Sequence, residues 1–205
     1  LTGPAGTRFG KVMAPLVYFV RHGQTDWNVE GRLQGQADRD INAVGRAQAD
    51  RNGRRLAGLI DDPQAFDFVA SPLRRTRETM ERIRSAMGLD PDAYRTEPRL
   101  LELDFGGWEG FTYPELEARE PGCTGARQAD KWHFSPPSGE SYAALLDRVR
   151  PWFETIGRPT VCVTHGGVLR VILAMVEGGE LHIAPLTEIP QDRVLRYAEG
   201  RLDWL

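Results

Sequence analysis

Three short runs of β-branched and aromatic residues, Leu16 to Val20, Phe66 to Ala70 and Thr160 to Thr164, break off abruptly at polar chemistry. The first ends at Arg21-His22-Gly23, the second at Ser71-Pro72 and the third at His165-Gly166-Gly167. Runs of about five such residues suit strands buried on both faces. Helical patterns lie between and after them. Following Ser71 as N-cap and Pro72 at the first helical position, Leu73, Thr76, Met80, Ile83 and Met87 recur at three- and four-residue steps, and Gly88 stops the helix. Val168 to Val176 is apolar almost all round apart from Arg170, which predicts a helix packed inside the protein and ended by Gly178-Gly179. Asn42 caps a helix from Ala43 to about Leu59, and Tyr142, Leu145, Leu146, Val149, Trp152, Phe153 and Ile156 mark another, kinked at Pro151. Val194 to Tyr197, Glu199-Gly200 and Arg201 to Leu205 predict a closing β-hairpin.

Strands alternating with helices predict a three-layer α/β/α sandwich with a largely parallel central sheet, whose ligands collect at the carboxyl ends of the strands. Arg21-His22, Ser71 and His165 then share one crevice. A chain of 205 residues, 40% hydrophobic, buries enough apolar surface for one domain, expected over 13–205. Residues 1–12 read as a leader or disordered N-terminal segment, and 111–140 as a small cap or specificity loop. A net charge of -3 without a like-charge run argues against nucleic acid, and no apolar stretch nears the roughly 20 residues of a membrane span. Cys123 and Cys162 make no disulfide framework and read as reduced thiols of a cytoplasmic protein. The sequence leaves the oligomeric state open.

His22 sits between Arg21 and Gly23, a residue that lets the chain turn or a ligand approach, and Thr25 and Asn28 add short polar side chains. His165 repeats the arrangement ahead of a helix N-terminus, which favours anions. Two histidines, arginines and a helix start suit a phosphoryl group. The four histidines lack metal-ligand spacing, so neither a metal nor another cofactor is expected.

Four segments carry a resemblance: Arg21-His22-Gly23-Gln24-Thr25-Asp26-Trp27-Asn28, Ser71-Pro72-Leu73-Arg74-Arg75-Thr76, Leu101-Glu102-Leu103-Asp104-Phe105-Gly106-Gly107-Trp108-Glu109-Gly110 and His165-Gly166-Gly167-Val168-Leu169-Arg170. In this order they resemble the histidine phosphatase superfamily, which implies the phosphoglycerate mutase-like fold and a small phosphorylated substrate. The resemblance makes His22 the nucleophile that becomes a phosphohistidine and Glu102 the general acid. His165 joins them as the third catalytic residue. Arg21, Asn28 and Arg75 would surround the phosphoryl oxygens, with Thr25, Gln34 and Gly35 beside the substrate. Arg74 and Arg77 fall outside, and Glu109 reads as structural. Cofactor-dependent phosphoglycerate mutases carry a longer insertion between the positions of Gly110 and Ser141, which keeps water off the phosphohistidine. The short segment here favours hydrolysis. A mutase and a non-catalytic phospho-ligand binding module are the alternatives. Phe111, Tyr113, Trp132, His133, Phe134, Pro136 and Pro137 are expected to form a rim around the leaving group.

Overall fold

A computed structural model describes residues 15–178 and 181–205; the expected leader, 1–12, lies outside them. The first buried run is β1 (Val17–Arg21), followed by α1 (Asp26–Val29) and α2 (Ala43–Ala57). Next come β2 (Asp67–Ala70), α3 (Arg74–Ala86), β3 (Arg95–Thr96) and two short helices, α4 (Tyr113–Arg119) and α5 (Gly125–Ala129). The chain ends with α6 (Tyr142–Glu154), β4 (Thr160–Thr164), α7 (Gly166–Glu177) and the hairpin β5 (Val194–Ala198) and β6 (Arg201–Trp204). The six strands form one sheet in the order β3-β2-β4-β1-β5-β6. β1 to β4 are parallel, while β5 pairs antiparallel with β1 and β6 with β5.

Period-two alternation sorts each strand between two cores. Val17, Phe19, Val69 and Cys162 face α6 and α7, with Trp152, Leu145 and Ile172. Tyr18, Val20, Phe68, Val161 and Val163 face α2 and α3, with Leu56, Met80 and Ile83. Fully burying such a side chain contributes about 1.5–3 kcal/mol, so a central strand clad on both sides is the rigid part of the molecule. No helix among the described residues is long and apolar enough to cross a membrane.

This sheet sets three polar termini level. Arg21 pairs with Thr164 in register, and the His22 amide donates to Thr164 O at 2.9 Å. The Ser71 amide donates to Val163 O at 3.0 Å. His22, Ser71 and His165 therefore emerge side by side at one sheet edge.

Three local expectations are revised or refined. Helix α3 starts at Arg74, not Pro72, with extended Leu73 at its N-cap and no side-chain cap. The Ser71 hydroxyl is engaged by His165 Nε2 at 2.7 Å, and Thr76 Oγ1 donates back to Ser71 O and Leu73 O instead. At Gly23 the structure shows a further constraint: a Cβ there would lie 2.3 Å from Gly45 O, so the glycine lets the chain after β1 touch the first turn of α2. The expected rim is partly core. Trp132 is buried and stacks on Tyr142, and Phe134 stacks on Trp108, whereas His133 is exposed and pairs with Asp130.

Candidate active site

His22 is buried at the end of β1. Its Nδ1–H donates to Gly23 O at 2.8 Å, which leaves the lone pair on Nε2. Burial first, then the charges of Arg75 and Arg21, hold its pKa well below the ordinary 6.5. The His165 ring stands edge to face with it, centroids 5.2 Å apart at 61°. His165 Nε2 pairs with Ser71 Oγ, and its Nδ1 is buried without a protein partner. Burial, Arg75 and His22 depress this histidine too.

Both arginines are held by carbonyls. Arg75 donates from Nη1 to Ala37 O at 2.8 Å and from Nη2 to Gly35 O at 2.6 Å. Arg21 donates from Nη1 to Ile189 O at 2.7 Å. The Nε of each is buried without a protein partner. Burial lowers the Arg21 pKa and pushes Arg75 down to about 10, which still leaves it charged at neutral pH. Among the described residues no carboxylate bonds directly to either cation, which leaves both available to an incoming anion.

Glu102 docks on the start of α7. Its two oxygens accept from the Gly167 amide at 3.0 and 3.1 Å, and Oε1 also accepts from the Leu103 amide at 2.8 Å. Only glycine permits this approach, because a Cβ on residue 167 would lie 2.3 Å from Oε1. Arg148 secures the backbone of this loop, donating to Arg99 O, Leu101 O and Glu102 O while pairing with Glu140.

The remaining expected residues join one network. Thr25 caps α1, its hydroxyl accepting from the Asn28 amide and donating to Gln34 Oε1 at 2.9 Å. Asn28 Oδ1 accepts from the Thr25 amide at 3.0 Å and from Gln191 Nε2 at 3.1 Å. Gly35, at φ +51°, lies so close to Glu109 that a Cβ would collide with its carboxylate. That carboxylate accepts from the Gln36 amide, and burial raises its pKa. Arg74 lies outside, exposed and paired with Asp40.

Sequence reasoning missed a further group of cations. Arg170, on the first turns of α7, donates from Nε to Thr187 O and from Nη1 to the Tyr142 hydroxyl. Arg127 is buried over the Phe105 and Tyr142 rings, donates to the Tyr113 hydroxyl and has an unpartnered Nη1. Lys131 has its pKa lowered by burial and by Arg127 and Arg170. The Tyr142 hydroxyl feels Arg170, Glu102 and Arg127 together, which places Arg170 and Arg127 in the neighbourhood of Glu102. Arg127 lies in α5 and Lys131 in the turn just after it, so no helical spacing links them in the sequence and pattern reading had no signal to find them. Among the described residues, no group of three or more histidine, cysteine, aspartate or glutamate side chains is placed to hold a metal ion.

The profile of the histidine phosphatase superfamily (branch 1) matches residues 17–200. The chain belongs to this superfamily. Among histidine phosphatases it is similar to the glucosyl-3-phosphoglycerate phosphatase of Mycobacterium tuberculosis (strain ATCC 25618 / H37Rv), 33% identical over 168 residues, spanning 76% of this chain and 72% of that one. The metal-independent phosphoserine phosphatase of Arabidopsis thaliana is 35% identical over 162 residues, 76% of this chain and 66% of its own. The native structure of the mycobacterial glucosyl-3-phosphoglycerate phosphatase superposes with a TM-score of 0.73 at 28% identity, covering 89% of each chain. The chain thus shares its overall fold with that structure and its sequence with both relatives.

Proposed function

We propose that the protein is a metal-independent phosphomonoester hydrolase that acts on a small anionic metabolite through a phosphohistidine on His22. The observation that carries this reading is the His22 tautomer: Nε2 bears the lone pair, the ring stands against that of His165, and burial with the charges of Arg75 and Arg21 holds it neutral. A neutral imidazole is nucleophilic, and the same guanidinium charges that keep it neutral receive the phosphoryl oxygens.

In the first step His22 Nε2 bonds to phosphorus as the P–O ester bond breaks, and Glu102 gives its proton to the departing alkoxide. In the second, Glu102 as carboxylate takes a proton from water, the water oxygen bonds to phosphorus, and the N–P bond breaks to release phosphate. Arg21, Arg75, Asn28 and His165 hold the phosphoryl group, with Thr25, Gln34 and Gly35 shaping the wall behind them. Residues 111–140 act as a short cap, open enough for water to be the acceptor.

The substrate carries a second acid group. Arg127, Lys131 and Arg170 supply positive charge beyond what one phosphate uses, and the mutual repulsion that lowers the Lys131 pKa would be relieved by an anion bound beside them. Glucosyl-3-phosphoglycerate and phosphoserine, the compounds in the relatives' names, each place a carboxylate near the phosphate ester. A phosphorylated hydroxy acid is therefore the substrate class we assign. Two free thiols, Cys123 and buried Cys162, support a reducing, cytoplasmic setting.

The test is a panel of phosphate esters assayed with a chelator present. Turnover of phosphorylated hydroxy acids by the wild type, its loss in His22→Ala and an acid-labile phosphoryl label on the wild-type ring are the expected results. Full activity of His22→Ala overturns the reading.

A further inference from the structure

Residues 187–191, between α7 and β5, hold the site at two-residue steps. Thr187 O accepts from Arg170 Nε at 2.8 Å, and Ile189 O accepts from Arg21 Nη1 at 2.7 Å. The Gln191 amide then spends both of its protons on the opposite side of the molecule's sequence: Nε2 donates to His22 O at 3.0 Å and to Asn28 Oδ1 at 3.1 Å. Gln191 O is itself fixed by Asn52 Nδ2 at 3.0 Å, from a side chain buried in α2. Ile189, buried in the main core, anchors the segment midway.

We infer that Gln191 is a positioning residue for phosphoryl transfer, setting the orientation of the Asn28 amide and the peptide of His22. An asparagine amide can rotate by half a turn and exchange its oxygen for its NH2 with little change in shape. Three donors, the Thr25 backbone amide, the Thr25 hydroxyl and Gln191 Nε2, converge on one end of the Asn28 side-chain amide and make that end the oxygen. The other end is then the NH2 group, a donor, which is what an anion requires. With the amide reversed, a carbonyl oxygen would face the phosphoryl oxygens and repel them. The bond to His22 O acts on the neighbouring link: it holds the peptide whose ring is already tied to Gly23 O. Misplacing a nucleophile or clamp by a fraction of an ångström is enough to slow such a reaction.

The inference rests on the assignment of His22 and Asn28 to the phosphoryl site. Gln191→Met keeps length and removes both donors; Gln191→Glu keeps shape and turns donors into acceptors. Each is assayed well below its own Tm, alone and combined with Asn28→Ala. We expect Gln191→Met to weaken inhibition by inorganic phosphate about tenfold and to lower kcat/KM by one to two decades, and Gln191→Glu to do worse. With Asn28 already removed, the effect of Gln191→Met on phosphate inhibition should shrink below about threefold, because a residue acting through another loses its lever. Full multiplication of the two losses, or a Gln191→Met variant within twofold of wild type, overturns the inference. Should the variants not fold, the wild-type protein decides: side-chain amide protons of Gln191 protected from exchange support it, and freely exchanging ones sink it. His22→Ala separates the two levels. If that variant stays active the site assignment itself falls; if it is dead while Gln191→Met is normal, only the role of Gln191 does.

Discussion

His22 and His165 face each other edge to face with centroids 5.2 Å apart, and both rings lie in the field of the same two arginines. Protonating either ring would bring a third positive charge into a buried space. The arrangement therefore holds two neutral imidazoles under two permanent cations, a combination that attracts a dianion while leaving a lone pair to attack it.

This gives the activity a pH signature. The acid limb of kcat/KM should fall below the ordinary histidine value of 6.5, because burial, Arg75 and Arg21 all lower the pKa of His22. Arg75→Met removes one of those charges, so its acid limb should move to higher pH, whereas Arg75→Lys should leave it near the wild-type position. Initial rates from pH 4.5 to 8 with one substrate decide this.

The same depression acts on stability. A base whose folded pKa lies below its unfolded value contributes fully above the unfolded pKa of about 6.5 and loses that contribution as pH falls toward the folded value. The Tm should therefore drop as pH is lowered from 7 to 5, and His22→Asn should flatten that part of the curve. Thermal melts across the window read both slopes, and parallel slopes would refute the assignment.

What the sequence disclosed and what it hid divide along physical lines. β1, β2 and β4 were legible because both faces are buried and the apolar run stops where the polar edge begins. Their shared edge followed from the parallel-sheet rule alone. The start of α3 misled because a serine before a proline has two possible partners, and His165 took the hydroxyl that would have capped the helix. The contact of Gly23 with the backbone of Gly45 stayed hidden, because no local pattern reports it. Gln191 was invisible: its partners His22 and Asn28 are 169 and 163 residues away, and a glutamine in a loop announces nothing.

Removing the proposed proton donor should depend on the leaving group. Glu102→Gln is expected to slow alkyl phosphates by two to four decades, the span of general acid catalysis. A nitrophenyl phosphate, whose phenolate leaves without a proton, should lose far less in its first step. Single-turnover rates for the two esters provide the comparison, and equal losses would count against Glu102 as the acid.

The group of cations should read the substrate's second charge. Arg127→Met and Lys131→Met are each expected to raise KM for phosphorylated hydroxy acids about 10- to 100-fold, the worth of a hydrogen bond to a charged group. For an uncharged-alcohol ester such as a simple aryl phosphate, KM should move less than about threefold. Steady-state kinetics on paired substrates give the answer, and equal effects on both would place these residues in the fold instead of the binding site.

The contact between the β1 edge and α2 can be tested without any substrate. In Gly23→Ala the new methyl would sit 2.3 Å from Gly45 O and 2.8 Å from Gly45 Cα, backbone against backbone, so neither side can rotate away. Overpacking of this kind costs about 1–3 kcal/mol. For a chain of this size each kilocalorie lowers Tm by roughly 2–4 °C. Gly58→Ala is the matched control: Gly58 ends α2 in the right-handed helical region at φ -83°, and the nearest atom to a Cβ there is Arg55 O at 3.5 Å. It should hold or slightly raise Tm, since alanine restricts the unfolded chain without strain. A Gly23→Ala variant that melts with the wild type would show that the two backbones are farther apart in solution than 2.3 Å allows.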